Sequence, residues 1–199
     1  MIEKKKIVKE INNWIFSIIG ACFIAALLNS KVFATVKVQQ RSMENTLYNS
    51  QKLILDKVSY NFVDPKRGDI IIFLENGQRG TIAKDAEMFI KSIKSIFQKI
   101  DVDKRMVKRV IGIPGDEIDI KDGYVYINGE KINEPYIKGK TFSGELKFPI
   151  NVPSNKLFVL GDNRPVSMDS RIFGLISHNQ VEGKAIFRVF PFSEIGPIK

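Results

Sequence analysis

The run MVKRVIGIPGDEIDIKDGYVYING, residues 106–129, carries the fold in its periodicity. Met106–Ile111 is β-branched and apolar, and Pro114-Gly115-Asp116 breaks it as a turn. Glu117–Ile120 and Tyr124–Ile127 then alternate polar with apolar residues, the period of a half-buried strand. Asp122-Gly123 and Asn128-Gly129 close the segments on dipeptides that accept positive φ at both turn positions, a strong hairpin signal. Working outward, Lys52–Lys57, Asp69–Leu74, Leu157–Leu160 and Lys184–Val189 read as further strands, and Pro65–Asp69 as a turn. The reading is a mainly β, antiparallel domain without repeats, low-complexity tracts or long linkers.

Two segments depart from that pattern. Residues 84–100 place Ala86, Phe89, Ile90, Ile93, Ile96, Phe97 and Ile100 at helical spacing, with Lys91, Lys94, Ser95 and Gln98 opposite. This predicts an inserted amphipathic helix, suited either to a membrane interface or to the surface of the β domain. Trp14–Leu28 is uncharged but shorter than the roughly 20 residues needed to cross a bilayer. Extended over 12–33, with Lys31 snorkelling, it is long enough. Lys4, Lys5, Lys6 and Lys9 precede it, so residues 1–11 are expected in the cytoplasm and residues 34–199 outside. The competing reading, a cleaved signal peptide, has only a weak small-residue site near Ala34.

Composition narrows the function. Charged residues are 27% and hydrophobic ones 44%, ordinary for a folded domain. The net charge of +9 is spread along the chain with no dense basic stripe, which favours an anionic membrane surface over nucleic acid. Cys22 is the only cysteine, so no intramolecular disulfide forms. One histidine, His178, sits in a polar string. With one cysteine and scattered carboxylates it makes no zinc pattern, and the glycine stretches do not match a phosphate loop. No metal or cofactor is expected.

Serine activated by lysine remains. A hydroxyl needs an adjacent base, and a lysine serves as one only when neutral. Lowering its pKa from about 10.4 to about 8 takes roughly 3 kcal/mol against the charged form, which burial supplies. Lys108 lies in an apolar run, and its neighbour Arg109 is expected to face solvent by strand alternation. Ser42 opens the hexapeptide Ser42-Met43-Glu44-Asn45-Thr46-Leu47 just past the hydrophobic segment.

With Val38–Leu47, Pro65–Phe73, Val107–Asp116 and Leu157–Gly174 in that order, the chain resembles the type I signal peptidases, of the Gram-positive kind. The block Gly161-Asp162-Asn163-Arg164 followed by Ser167-Met168-Asp169-Ser170-Arg171 is its most specific part. The resemblance implies Ser42 as nucleophile, Lys108 as general base, and Ser167 hydrogen-bonded to the lysine amine. It implies an ion pair between Asp162 and Arg171 supported by Asp169. The oxyanion would be held by Ser42 N–H and a second donor near Gln40. Val36, Val38 and Val107 would line shallow pockets for small side chains, and they read equally well as core. Substrates would be precursors bearing signal peptides, cut beside membrane lipid; oligomeric state is left open.

The chain also departs from the family pattern. Asn45 stands where proline is usual, Gln40 where a small residue is usual, Ser50-Gln51 where Gly-Asp is usual, and Pro165-Val166 replaces a polar pair. Residues 81–103 are an insertion. Such drift suggests a specialised member, for instance one serving pilus-type proteins. Two other readings stand beside the peptidase: a non-catalytic relative assisting assembly of surface polymers such as pili, and a soluble Ser/Lys protease acting on a cytoplasmic regulator.

Overall fold

The computed structural model describes residues 10, 12–18, 20, 33–75, 77 and 105–198. Twelve strands run through the described residues: β1 (Phe33–Lys37), β2 (Lys52–Asp56), β3 (Ile70–Leu74), β4 (Arg105–Gly112), β5 (Glu117–Lys121), β6 (Tyr124–Ile127), β7 (Glu130–Lys131), β8 (Ile150–Asn151), β9 (Lys156–Leu160), β10 (Ile176–Ser177), β11 (Val181–Phe190) and β12 (Gly196–Pro197). The larger sheet has the order β1-β2-β11-β3-β4-β9-β10, with β12 on β11; the smaller is β7-β6-β5-β8. Every ladder in both is antiparallel.

The turn chemistry explains the small sheet. Asp122 and Gly123 take φ of 57° and 87°, Asn128 and Gly129 52° and 83°. Those angles match the right-handed twist of the flanking strands, so β5–β6 and β6–β7 close as tight hairpins. Ile118, Ile120, Val125 and Ile127 then point to one side and pack with Ile111, Phe158 and Leu160 of the larger sheet.

In the larger sheet the five residues of β3 are all buried, the mark of a central strand covered on both faces. Register divides its neighbours. Met106 and Lys108 of β4 oppose Phe73 and Ile71 of β3, whose cluster also holds Val110, Leu157 and Val159. Val107 and Arg109 oppose Ile72 and Ile70, whose cluster holds Val38, Met43, Leu47, Leu53 and Leu55. Lys108 and Arg109 therefore do face opposite sides, as alternation requires. Both sides are interior, so Arg109 is 3% exposed and not in solvent as expected.

The expected strand ends hold to within one residue except at the start of β11. β11 begins at Val181, three residues before the expected start, because Gly183 lets the backbones close up: a Cβ there would lie 2.2 Å from the Asp56 carbonyl oxygen. Phe33, the expected last residue of the membrane span, is the first residue of β1. Residues 12–18 are helical. No helix among the described residues is long and apolar enough to cross a membrane, and most of the expected span lies outside them. The expected amphipathic helix at 84–100 also lies outside the described residues.

Candidate active site

Ser42 and Lys108 meet. Their Oγ and Nζ are hydrogen-bonded at 2.7 Å across 66 residues of sequence. Lys108 is fully buried and Ser42 is 6% exposed. Pairing of β4 with β9 stops at Arg109–Leu160, one residue short of Lys108, so the chain after β9 turns across that end of the strand. Gly161 is the close-approach point. A Cβ on it would stand 2.4 Å from the Ser42 carbonyl oxygen and 2.2 Å from Ser167 Oγ. Only glycine permits that contact.

The Ser42 loop is tied from several directions. Leu47 N–H donates to Met43 O and Thr46 N–H to the same carbonyl, closing a tight turn after Ser42. Met43 and Leu47 are buried in the cluster that also contains Val38, with Val36 and Val107 packed against it. The three valines therefore share one apolar body. Gln40 is exposed, between β1 and Ser42.

The charged residues pair differently from expectation. Asp162 does not meet Arg171. It accepts Arg109 Nε at 2.9 Å and Nη2 at 2.7 Å, while Thr46 Oγ1 donates to it as well. Leu160 opposes Arg109 in the ladder, which sets Asp162, two residues on, within reach of that guanidinium. Arg109 also stacks on the Tyr136 ring, 4.0 Å from its centroid. Burial, with the carboxylate of Glu134 nearby, raises the Tyr136 phenol and keeps it protonated. Arg171 instead binds Asp169 through Nε at 2.7 Å and Nη2 at 2.8 Å. Asp169 caps the short helix Ser170–Phe173 and accepts Gly161 N–H at 3.0 Å, so this pair braces the glycine from behind.

Ser167 is also corrected. Its Oγ is buried and has no hydrogen-bond partner, so the bond to the Lys108 amine is not formed here. The amine's hydrogen bond to Ser42 takes that place.

Residues 11–190 match the family described as "Signal peptidase, peptidase S26". Signal peptidase I of Bacillus amyloliquefaciens is 34% identical over 99% of this chain and 98% of its own length. The chain belongs to the signal peptidase family. Signal peptidase I of Bacillus caldolyticus is 37% identical over 87% of this chain and 88% of its own. Signal peptidase IB of Staphylococcus aureus is 33% identical over 94% and 93%. A crystal structure of signal peptidase I from Enterococcus faecalis aligns with a TM-score of 0.43 at 31% identity, over 61% of this chain and 97% of that one.

Within this signal peptidase the departures from the family pattern have local causes. Asn45 sits at φ 97°, a conformation closed to proline, whose ring fixes φ near −65°. Its side chain donates to the carbonyls of Tyr136 and Ile137 at 3.0 and 3.4 Å, tying the loop to that segment. Ser50, at the usual glycine place, keeps a positive φ of 71°. Gln51 is buried, accepting Tyr48 N–H and donating to Glu194. Glu44 accepts from Arg41, Lys138 and Asn163. Hydrogen bonds from Arg41 first, then Lys138, hold its carboxyl below the usual carboxylate range.

Sequence reasoning missed Arg164, which is fully buried. It donates to Glu134 through both terminal nitrogens, to Thr141 Oγ1, and through Nε to Gly161 O at 3.0 Å. The signal was present, since Arg164 ends the Gly-Asp-Asn-Arg block, but nothing local indicated an inward side chain.

Proposed function

We propose that this serine peptidase removes signal peptides from exported precursors with Ser42 as nucleophile and Lys108 as general base. The observation that carries the proposal is the 2.7 Å Nζ–Oγ hydrogen bond of a fully buried lysine. Burial penalises the ammonium against the amine, because the charge loses its hydration. A neutral amine accepts the Ser42 proton as Oγ attacks the scissile carbonyl, and the tetrahedral oxygen is held by Ser42 N–H. That N–H donates to no acceptor among the described residues. Collapse passes the proton to the leaving amine of the mature protein. The freed amine then activates water against the acyl-enzyme, releasing the signal peptide.

Val36, Val38 and Val107 are assigned to the small side chains preceding the cut, admitting an Ala-x-Ala pattern by excluding bulk. The segment that begins at residue 12 and ends before β1 is assigned as a membrane anchor with the N-terminus inside. Nine residues from Phe33 to Ser42 span at most about 30 Å, so the nucleophile stays beside the outer membrane surface. The dyad geometry favours this reading over a non-catalytic assembly factor.

The test is cleavage of a precursor bearing an Ala-x-Ala site by the full-length protein, Ser42→Ala and Lys108→Ala. Loss in both variants is expected. Retained cleavage by either one removes that residue from the mechanism.

A further inference from the structure

Asn163 follows Gly161-Asp162 and is 4% exposed. Its backbone N–H donates to Ser42 O at 2.9 Å. Its side-chain Nδ2 donates to Arg41 O at 3.1 Å and to Glu44 Oε2 at 3.2 Å. One residue therefore grips the carbonyls on both sides of the Ser42 α-carbon. The two acceptors also fix the amide's orientation, since a side-chain oxygen turned toward them would face only other oxygens.

The consequence follows from peptide planarity. The Arg41–Ser42 bond is trans, as the cis peptides among the described residues are two X-Pro bonds elsewhere. In a trans peptide the C=O and the following N–H lie in one plane and point in opposite directions, with departures beyond about 10–15° rare. Holding Arg41 O on Asn163 thus aims Ser42 N–H the other way. Holding Ser42 O fixes the next plane, and the two together set φ and ψ of the nucleophile. We propose that Asn163 is a positioning residue that aims the Ser42 N–H at the oxyanion of the transition state. The inference rests on the Ser42–Lys108 reading and extends it.

Asn163 is itself anchored. Asp162 before it is locked to Arg109, and Arg164 after it is locked to Glu134. Glu44, which accepts the second Nδ2 hydrogen, is held by Arg41 and Lys138. The donor's direction is therefore set before substrate arrives, which is the condition under which an oxyanion donor is most effective.

The experiment compares steady-state cleavage of an Ala-x-Ala precursor by the full-length protein and Asn163→Ala, across pH. The Ser42 N–H remains in that variant but loses its aim. Removing an oxyanion donor outright costs about 10²–10³ in kcat, so a drop of about 10- to 100-fold is expected. KM should change by less than about twofold, and the pH midpoint of the rising limb should stay put, because Lys108 is untouched. A kcat within about threefold of wild type overturns the inference, and so does a fall in kcat accompanied by a displaced pH midpoint. If Asn163→Ala does not fold by thermal unfolding, Asn163→Ser is judged by the same criteria. Ser42→Ala and Lys108→Ala run in parallel. If they stay active the dyad reading fails, whereas if they are dead and Asn163→Ala is fully active only the positioning role fails.

Discussion

Gly161→Ala adds one methyl group at the point where the loop after β9 crosses Ser42. Built on the present backbone, that carbon stands 2.2 Å from Ser167 Oγ, 2.6 Å from Ser167 Cβ and 2.4 Å from the Ser42 carbonyl oxygen. The Ser167 hydroxyl can rotate away, but the Ser42 oxygen is backbone and is held by Asn163 N–H. To reach even 3.0 Å the carbonyl or the glycine must retreat by about 0.6 Å. A misplacement on the order of 1 Å at a reacting group costs up to about 10²-fold in rate. Kcat should therefore fall about 10- to 100-fold, and overpacking should remove about 1–3 kcal/mol of stability. Steady-state cleavage and urea unfolding of the purified variant measure both. Wild-type kcat with an unchanged urea midpoint would refute the reasoning about this contact.

Three further outcomes follow from other contacts. Asp162→Ala strands the buried Arg109 guanidinium, so unfolding free energy should drop by about 3–5 kcal/mol, read from denaturant curves; a loss under about 1 kcal/mol contradicts the pairing. Asn45→Pro cannot hold φ 97° and should destabilise by more than about 1 kcal/mol, whereas Asn45→Gly keeps the backbone and loses only the two side-chain hydrogen bonds. Equal unfolding midpoints for the two variants would contradict this. The Asp69 carboxyl is pushed up by burial, but bonds from Lys184, Lys66 N–H and Tyr60 outweigh that and hold it below its ordinary value. A depressed folded pKa contributes stability above the unfolded value of about 3.9, and that contribution is lost as pH falls through the folded pKa. Asp69→Asn should therefore flatten the acid limb of the stability curve, measured by thermal unfolding against pH, and an unaltered limb contradicts it.

What the sequence disclosed depended on how local the cause was. The hairpins at Asp122-Gly123 and Asn128-Gly129 were legible because turn angles are a property of two residues. β1 was not, since Phe33–Lys37 continues an apolar run and acquires strand character only by pairing with β2. The two-residue strands β7, β8, β10 and β12 are too short to carry a period. Gly183 lies inside β11, ahead of the expected start at Lys184, where Asp56 O occupies the space a side chain would need.

The site divides the same way. Ser42 and Lys108 were named from an apolar run and the family's blocks, and the structure joins them. The ion pairs were misassigned because sequence shows which charges exist, not which register brings them together. Arg109 takes Asp162 through the β4–β9 ladder, leaving Arg171 to Asp169 two residues away. Asn163 and Arg164 stood inside a quoted block, but their inward direction is a consequence of the Gly161 crossing and has no signature of its own.

Lys108 must carry no proton when it receives one from Ser42. Labelling lysine side chains and following the Lys108 ε-carbon resonance against pH, beside the kcat/KM profile of the same preparation, examines that state directly. The resonance should titrate below the ordinary lysine value of about 10.4 and share its midpoint with the rising limb of activity. An amine that stays charged throughout the range in which the enzyme is fully active would contradict the assignment of Lys108 as the base.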